Sequence, residues 1–252
     1  VRAAAVAGLG QVAARGDATA SAAVRLRLAD AAEEVVLAAL EAAVLLAAPG
    51  DRETLAAVHG RLLRAEAWET RRAAAEALCR LAEVGDPAAI RMLAAGLQDD
   101  NRWVRVAALD AIAKLALRGD RAAVATVAAR LGDEAWCVRA AALAAVTQLA
   151  ELGDDAAICA VASRLEDDYA SVRIAALEAI SELAPRGARE ATALVMARLR
   201  DADADVRMEA IEALVRMAET GDEDVITALA HRMRDDRDED VRRVAESAVG
   251  RL

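Results

Sequence analysis

Residues able to do chemistry are few in this chain and widely scattered. His59 and His231 are the only histidines, each in a stretch of helical periodicity, and they are predicted to pack or to lie on a helix surface rather than act as base or ligand. Cys79, Cys137 and Cys159 have no metal-ligand spacing and no His nearby in sequence. They read as small buried hydrophobes in a reducing, intracellular compartment, the cytoplasm or an organelle interior. Lys114 is the only lysine, and no Gly-rich phosphate loop or nucleophile elbow occurs. The sequence therefore predicts no catalytic, metal or cofactor residue. Two other sets of side chains recur at regular intervals. One is acidic, Glu41, Glu76, Asp110, Glu178 and Glu212; the other is the whole aromatic complement, Trp68, Trp103, Trp136 and Tyr169. Such recurrence suits recognition of a protein partner, because aromatics anchor interfaces and charges steer association.

The elements that position these side chains follow from composition. Of 252 residues, 57% are apolar but only 2% aromatic, and 71 are Ala. Ala is the strongest helix former, and β-branched and aromatic residues are too few for sheets, so the chain is expected to be all-α. No run of 18 apolar residues occurs, which predicts no membrane insertion. The formal net charge of −10 argues against nucleic acid as a partner. The charge is uneven, with 15 acids against 8 Arg over residues 201–252.

A repeat of 34 residues, with two steps of 35, runs through the whole chain. Its anchor is the first residue of Val-Arg-x-x-Ala, at Val1, Val35, Thr70, Val104, Val138, Val172, Val206 and Val241. Four residues on, every repeat has Ala, from Ala5 to Ala245; fifteen on, every repeat up to Gly221 has Gly. Large apolar residues at 0, 5, 8 and 11, as in Val104, Leu109, Ile112 and Leu115, have helical spacing. Glycine supplies the left-handed turn that stops this long helix, and Asp follows it in six of seven repeats. A second, shorter apolar run then leads to Asp30, Asp99, Asp133, Asp167, Asp201 or Asp236, five residues before the next anchor. Each unit thus reads as a short helix, an acidic turn, a long helix and a Gly-Asp turn.

The turn Asp-x-x-x-x-Val-Arg-x-x-Ala resembles HEAT repeats, and the short period resembles the HEAT-like subtype named after phycobilisome lyases. The resemblance spans residues 1–252 as one domain and implies a right-handed α-solenoid of about seven to eight 34-residue repeats. It implies that the long helices line a concave side, which places the five carboxylates on or beside it, together with Glu83, Glu151 and Glu219. It also implies a ladder in which the turn Asp pairs with the Arg after each anchor, among them Arg71, Arg139, Arg173 and Arg207. Val36 and Ala65 interrupt both columns, so the ladder is expected to weaken near residues 35–70. A repeat enzyme of similar architecture holds its metal with His-Glu dyads, but Gly60 and Arg232 follow the histidines here. HEAT-like DNA glycosylases use a basic concave face, which this acidic chain lacks.

The first helix starts inside a repeat, so a further repeat or a partner is expected over residues 1–10, whereas Glu246 and Ser247 read as a polar cap. The aromatics precede their anchors by one to three residues and should project along one edge of the stack. There they either pack back as hydrophobic staples or form a ridge for a partner. The reading that results is a non-catalytic protein-binding scaffold, adaptor or complex subunit with a basic or helical segment as partner. The alternative is an accessory subunit resembling bilin lyases of light-harvesting proteins.

Overall fold

The computed structural model describes all residues, 1–252, and contains fifteen α-helices and no strand. Two compact units divide it, residues 1–117 and 118–252. The first unit holds α1 (Arg2–Val12), α2 (Ala18–Arg27), α3 (Glu33–Leu46), α4 (Arg52–Arg64), α5 (Trp68–Leu81), α6 (Pro87–Gly96) and α7 (Arg102–Leu115). The odd-numbered helices pack side by side in one layer, and α2, α4 and α6 cover them in a second. The other unit repeats this plan. Its long-helix layer is α9 (Trp136–Leu149), α11 (Ala170–Leu183), α13 (Ala204–Met217) and α15 (Glu239–Val249). Its covering layer is α8 (Arg121–Ala128), α10 (Asp155–Ala162), α12 (Arg189–Arg198) and α14 (Glu223–Asp235).

The repeat columns explain the layers. In α7 the large residues Val104, Leu109 and Ile112 are fully buried, as is the column alanine Ala108. Each fully buried Leu or Ile contributes about 1.5–3 kcal/mol. The methyl-sized Ala column is what lets neighbouring long helices approach. No helix is long and apolar enough to cross a membrane.

All seven column glycines have positive φ, from 71° to 87°. Their role is larger than stopping a helix. Each donates its N–H to the carbonyl eleven residues past the next anchor, as in Gly85 to Leu115 at 2.7 Å and Gly153 to Leu183 at 2.8 Å. In the first six cases that carbonyl belongs to the last turn of a helix and has no intrahelical donor, so one bond satisfies two backbone groups and joins two repeats; Gly221 reaches Leu252, just past α15. At Gly119 the positive φ strains any side chain, and an added Cβ would also lie 2.9 Å from Glu151 Oε1, which would have to move. The Asp after the glycine caps the short helix: Asp17, Asp51, Asp86, Asp120, Asp154 and Asp222 all accept from its first turn, whereas Ala188 leaves α12 without a side-chain cap.

Arg and Asp form rungs between successive repeats. Arg139 donates from Nε and Nη2 to Asp167 at 2.7 and 2.6 Å, and from Nη1 to the carbonyls of Asp133 and Glu134 in its own turn. Arg71–Asp99, Arg173–Asp201 and Arg207–Asp236 have the same bidentate form. The aspartate does not cap the long helix directly. It accepts instead from the N–H two residues on, as Asp167 does from Tyr169, and this fixes the turn. At the interruption, Val36 is 4% exposed and lies in the core, so both members of one rung have become apolar together. Thr70, itself buried, donates to Glu33 and supplies a different link between those two repeats.

Burial acts to raise the Asp167 carboxyl. The Arg139 hydrogen bonds, the Tyr169 N–H and the nearby Arg charges outweigh it and hold the group below the usual carboxylate range. Asp99, Asp201 and Asp236 are lowered by the same balance. A carboxyl lowered in the folded state contributes stability above its unfolded value, about pH 4, and that stability is lost as pH falls through the folded value. Urea denaturation at neutral pH should therefore show Arg139→Ala to be destabilised by about 3 kcal/mol, because Asp167 is left buried and unpaired. The double substitution Arg139→Val with Asp167→Ala, which copies the Val36 and Ala65 arrangement, should cost less than the single one. Its stability should also fall less steeply than that of the wild type below about pH 4.

Candidate functional site

The long-helix layer of the first unit presents Glu41 on α3, Glu76 on α5 and Asp110 on α7, all exposed and all six residues past an anchor. Glu76 is paired within its own helix, accepting from Arg72 Nε at 2.9 Å. Desolvation by the surrounding helices pushes the Asp110 carboxyl up; Lys114 opposes this, Glu76 adds to it and Arg72 opposes it. The two cations offset the Glu76 repulsion, so the rise at Asp110 comes from desolvation.

In the second unit Glu178 on α11 is exposed and Glu212 on α13 half-buried. Glu212 accepts from Arg251 Nη2 at 2.9 and 3.0 Å. Desolvation raises Glu178 first, Glu209 adds to it, Arg216 opposes and Glu182 adds again. Arg216 is itself held by Glu209 and by Ser181 Oγ at 2.9 Å. Arg72 was legible as an i, i+4 partner of Glu76. Arg251, 39 residues from Glu212, and Glu209, on the next helix from Glu178, left no sequence signal. Glu83, Glu151 and Glu219 are placed elsewhere, against the turn glycines Gly50, Gly119 and Gly187 of the preceding repeats.

The aromatics lie at the N-termini of long helices. In the first unit Trp68 is the first residue of α5 and half-buried, and Trp103 sits in the first turn of α7, 42% exposed, with the Arg102 guanidinium 5.3 Å from its ring centroid. In the second unit Trp136 opens α9 and Tyr169 precedes α11 as its N-cap. Their rings stack with centroids 6.0 Å apart, and Arg139 lies 5.7 Å from the Tyr169 centroid.

The other candidates stay apart. His59 is half-buried, its basicity lowered by burial and by Arg64, and its Nε2 has no hydrogen-bond partner. His231 is exposed, with Nδ1 3.4 Å from Asp235. No group of three or more His, Cys, Asp or Glu has metal-binding geometry. The cysteines correct the sequence reading: Cys159 is exposed and Cys79 and Cys137 are half-buried. Cys159 falls on the outward side of α10, whose inward positions are Ala157 and Val161. Cys79 donates weakly to the Ala111 carbonyl at 3.6 Å, and burial raises its thiol.

Helix pairs with this turn chemistry match the HEAT-repeat family over residues 40–113, 57–146 and 162–250. The chain belongs to the HEAT-repeat family. Its fold is accordingly an α-solenoid of helix-pair repeats. No curated protein matches it at a significant level. Among solved structures it is similar to the Escherichia coli protein YibA, at 17% identity and a TM-score of 0.61, covering 98% of this chain and 85% of that one. It is similar to an engineered protein at 21% identity and TM-score 0.54, covering 99% and 73%. It is also similar to a chain in the complex of CpcE and CpcF of phycocyanin lyase from Nostoc sp. PCC7120, at 21% identity and TM-score 0.51, covering 65% and 99%. At these identities the likeness is one of HEAT-type fold.

The raised carboxyls lead to a stability test on this HEAT-repeat surface. An acid raised in the folded state gains stability as pH falls through that raised value and opposes folding when ionised. Thermal unfolding at pH 7 should therefore place Asp110→Asn and Glu178→Gln at or above the wild-type midpoint. Substitutions that lower it would show that these carboxylates help hold the helices together.

Proposed function

We propose that this HEAT-repeat protein is a non-catalytic protein-binding scaffold or complex subunit that takes a basic or helical segment of a partner. The observation that supports the reading is the recurrence of carboxylates six residues past the anchors of the long helices, with Glu41, Glu76, Asp110 and Glu178 exposed. Exposed carboxylates at regular intervals along a helix face steer and orient a cationic partner segment. Glu41, Glu76 and Asp110 form the recognition stripe of the first unit, and Glu178 and Glu212 that of the second. Trp68, Trp103, Trp136 and Tyr169 supply the apolar anchors. The acidic balance makes a nucleic-acid partner the wrong electrostatic match.

A second reading, an accessory subunit in bilin attachment to a light-harvesting protein, is favoured only by the fold likeness to the CpcE and CpcF complex. Visible absorbance separates the two, because a purified protein that takes up a bilin becomes coloured.

The scaffold reading is tested by titrating a lysine-rich amphipathic helical peptide into the wild type and into Glu76→Gln/Asp110→Asn/Glu178→Gln. The variant should bind about tenfold more weakly at low salt, and the difference should shrink at about 0.5 M salt. Equal affinity of the two proteins at low salt would remove the stripe from the account.

A further inference from the structure

The turns that follow the long helices carry a row of side chains that packing leaves exposed. In the second unit one charged residue stands in each of four successive turns: Arg118, Glu151, Arg186 and Glu219. They alternate in sign, and all four are exposed. Two apolar residues share the central turns with them, Leu152 beside Glu151 and Pro185 beside Arg186. Both are exposed, Leu152 to 64%. All six occupy equivalent places, thirteen or fourteen residues past their anchors.

Backbone bonds fix the row. Gly119 donates to the Leu149 carbonyl, Gly153 to Leu183 and Gly187 to Met217, at 2.7, 2.8 and 2.8 Å, so each turn is tied to the next. The charged side chains are held too. Arg118 Nε donates to the Ala150 carbonyl at 3.0 Å and Arg186 Nε to that of Ala218 at 2.7 Å, which leaves the Nη nitrogens of both unengaged. Glu151 and Glu219 rest against Gly119 and Gly187. None of the four forms an ion pair within the chain. Neighbouring packed helices lie about 8–10 Å apart, so the row is about 25–30 Å long.

A row of plus, minus, plus, minus becomes minus, plus, minus, plus when it is reversed. Turned about a twofold axis between the turns after α9 and α11, it is its own complement. We infer that this edge of the second unit binds the same edge of a second copy of this chain. Arg118 of one copy then faces Glu219 of the other, Glu151 faces Arg186, and Leu152 and Pro185 of both copies meet at the axis. A segment of uniform charge is the wrong occupant, because every second turn repels it. Side chains already held against the turns lose little freedom on pairing. The inference goes beyond the scaffold reading and does not depend on it, since it uses none of the stripe carboxylates.

Sedimentation equilibrium of the full chain tests this at about 0.2 mM protein and low salt, because a contact of this size belongs with transient interfaces. The wild type should show a monomer–dimer equilibrium that weakens at about 0.5 M salt. Arg118→Glu/Arg186→Glu makes the row wholly acidic, and Glu151→Arg/Glu219→Arg makes it wholly basic. Each variant alone should self-associate about tenfold more weakly than the wild type, and an equal mixture of the two should form a heterodimer at least as tight as the wild-type dimer. The mixture guards against misfolding, because only two folded edges can pair. Leu152→Asp should weaken wild-type association about fivefold, since it brings a charge to the apolar centre of the contact. A monomeric wild type at that concentration, a dimer that either charge variant leaves intact, or a mixture that stays monomeric would overturn the proposal. None of these results touches the scaffold reading, which the peptide titration decides separately.

Discussion

The guanidinium fork of the rung arginine is the interaction on which the rest of this structure depends. A planar group with five donors reaches two directions at once: one side grips the aspartate of the next repeat, and the remaining nitrogen ties down carbonyls of its own turn. Lysine has no such geometry, and every rung is arginine. Because the aspartate also accepts a backbone N–H, one buried charge pair fixes two turns and one inter-repeat distance. The removal of an isolated buried charge from water is expensive, and the rung is tolerable only because nearly every donor and acceptor in it is satisfied.

A second ladder of a different kind runs along the other ends of the long helices. The left-handed glycine N–H reaches the carbonyl of the next repeat, so each long helix is held at its start by side chains and at its end by backbone. Between these fixed ends the Ala-rich faces need only fit closely. That division of labour explains a core made of methyl groups, in which Ala74, Ala108, Ala142, Ala176 and Ala210 are wholly buried and aromatic rings have no place. The rings go where the backbone is pinned, at the starts of the long helices, and the carboxylates go to the exposed face that packing leaves free.

Much of this was legible in the residues. The Gly column specified a positive φ, because only glycine adopts it without strain, and the resemblance to HEAT repeats implied that the Arg and Asp columns pair as rungs. What was not legible depends on distances between repeats. The glycine N–H has no side chain to advertise its acceptor. The link from Thr70 to Glu33 replaces a rung with residues from neither rung column. Trp136 and Tyr169 are 33 residues apart, and only the inter-repeat spacing brings their rings together. Cys159 was misread because its residue type favours burial while its position on a two-turn helix points outward. Of the carboxylate stripe, the sequence showed which residues share a face but not that Arg251 returns to neutralise Glu212.

The rung arginine positions the turn edge, beyond any share it has in stability. Hydrogen–deuterium exchange of Arg139→Ala, read residue by residue at a temperature where the protein stays folded, tests that most directly. Protection should be lost at residues 133–136 and 167–169, the turns that Arg139 joins, while the centres of α9 and α11 keep theirs. Protection lost evenly along both helices, or unchanged in the two turns, would contradict it.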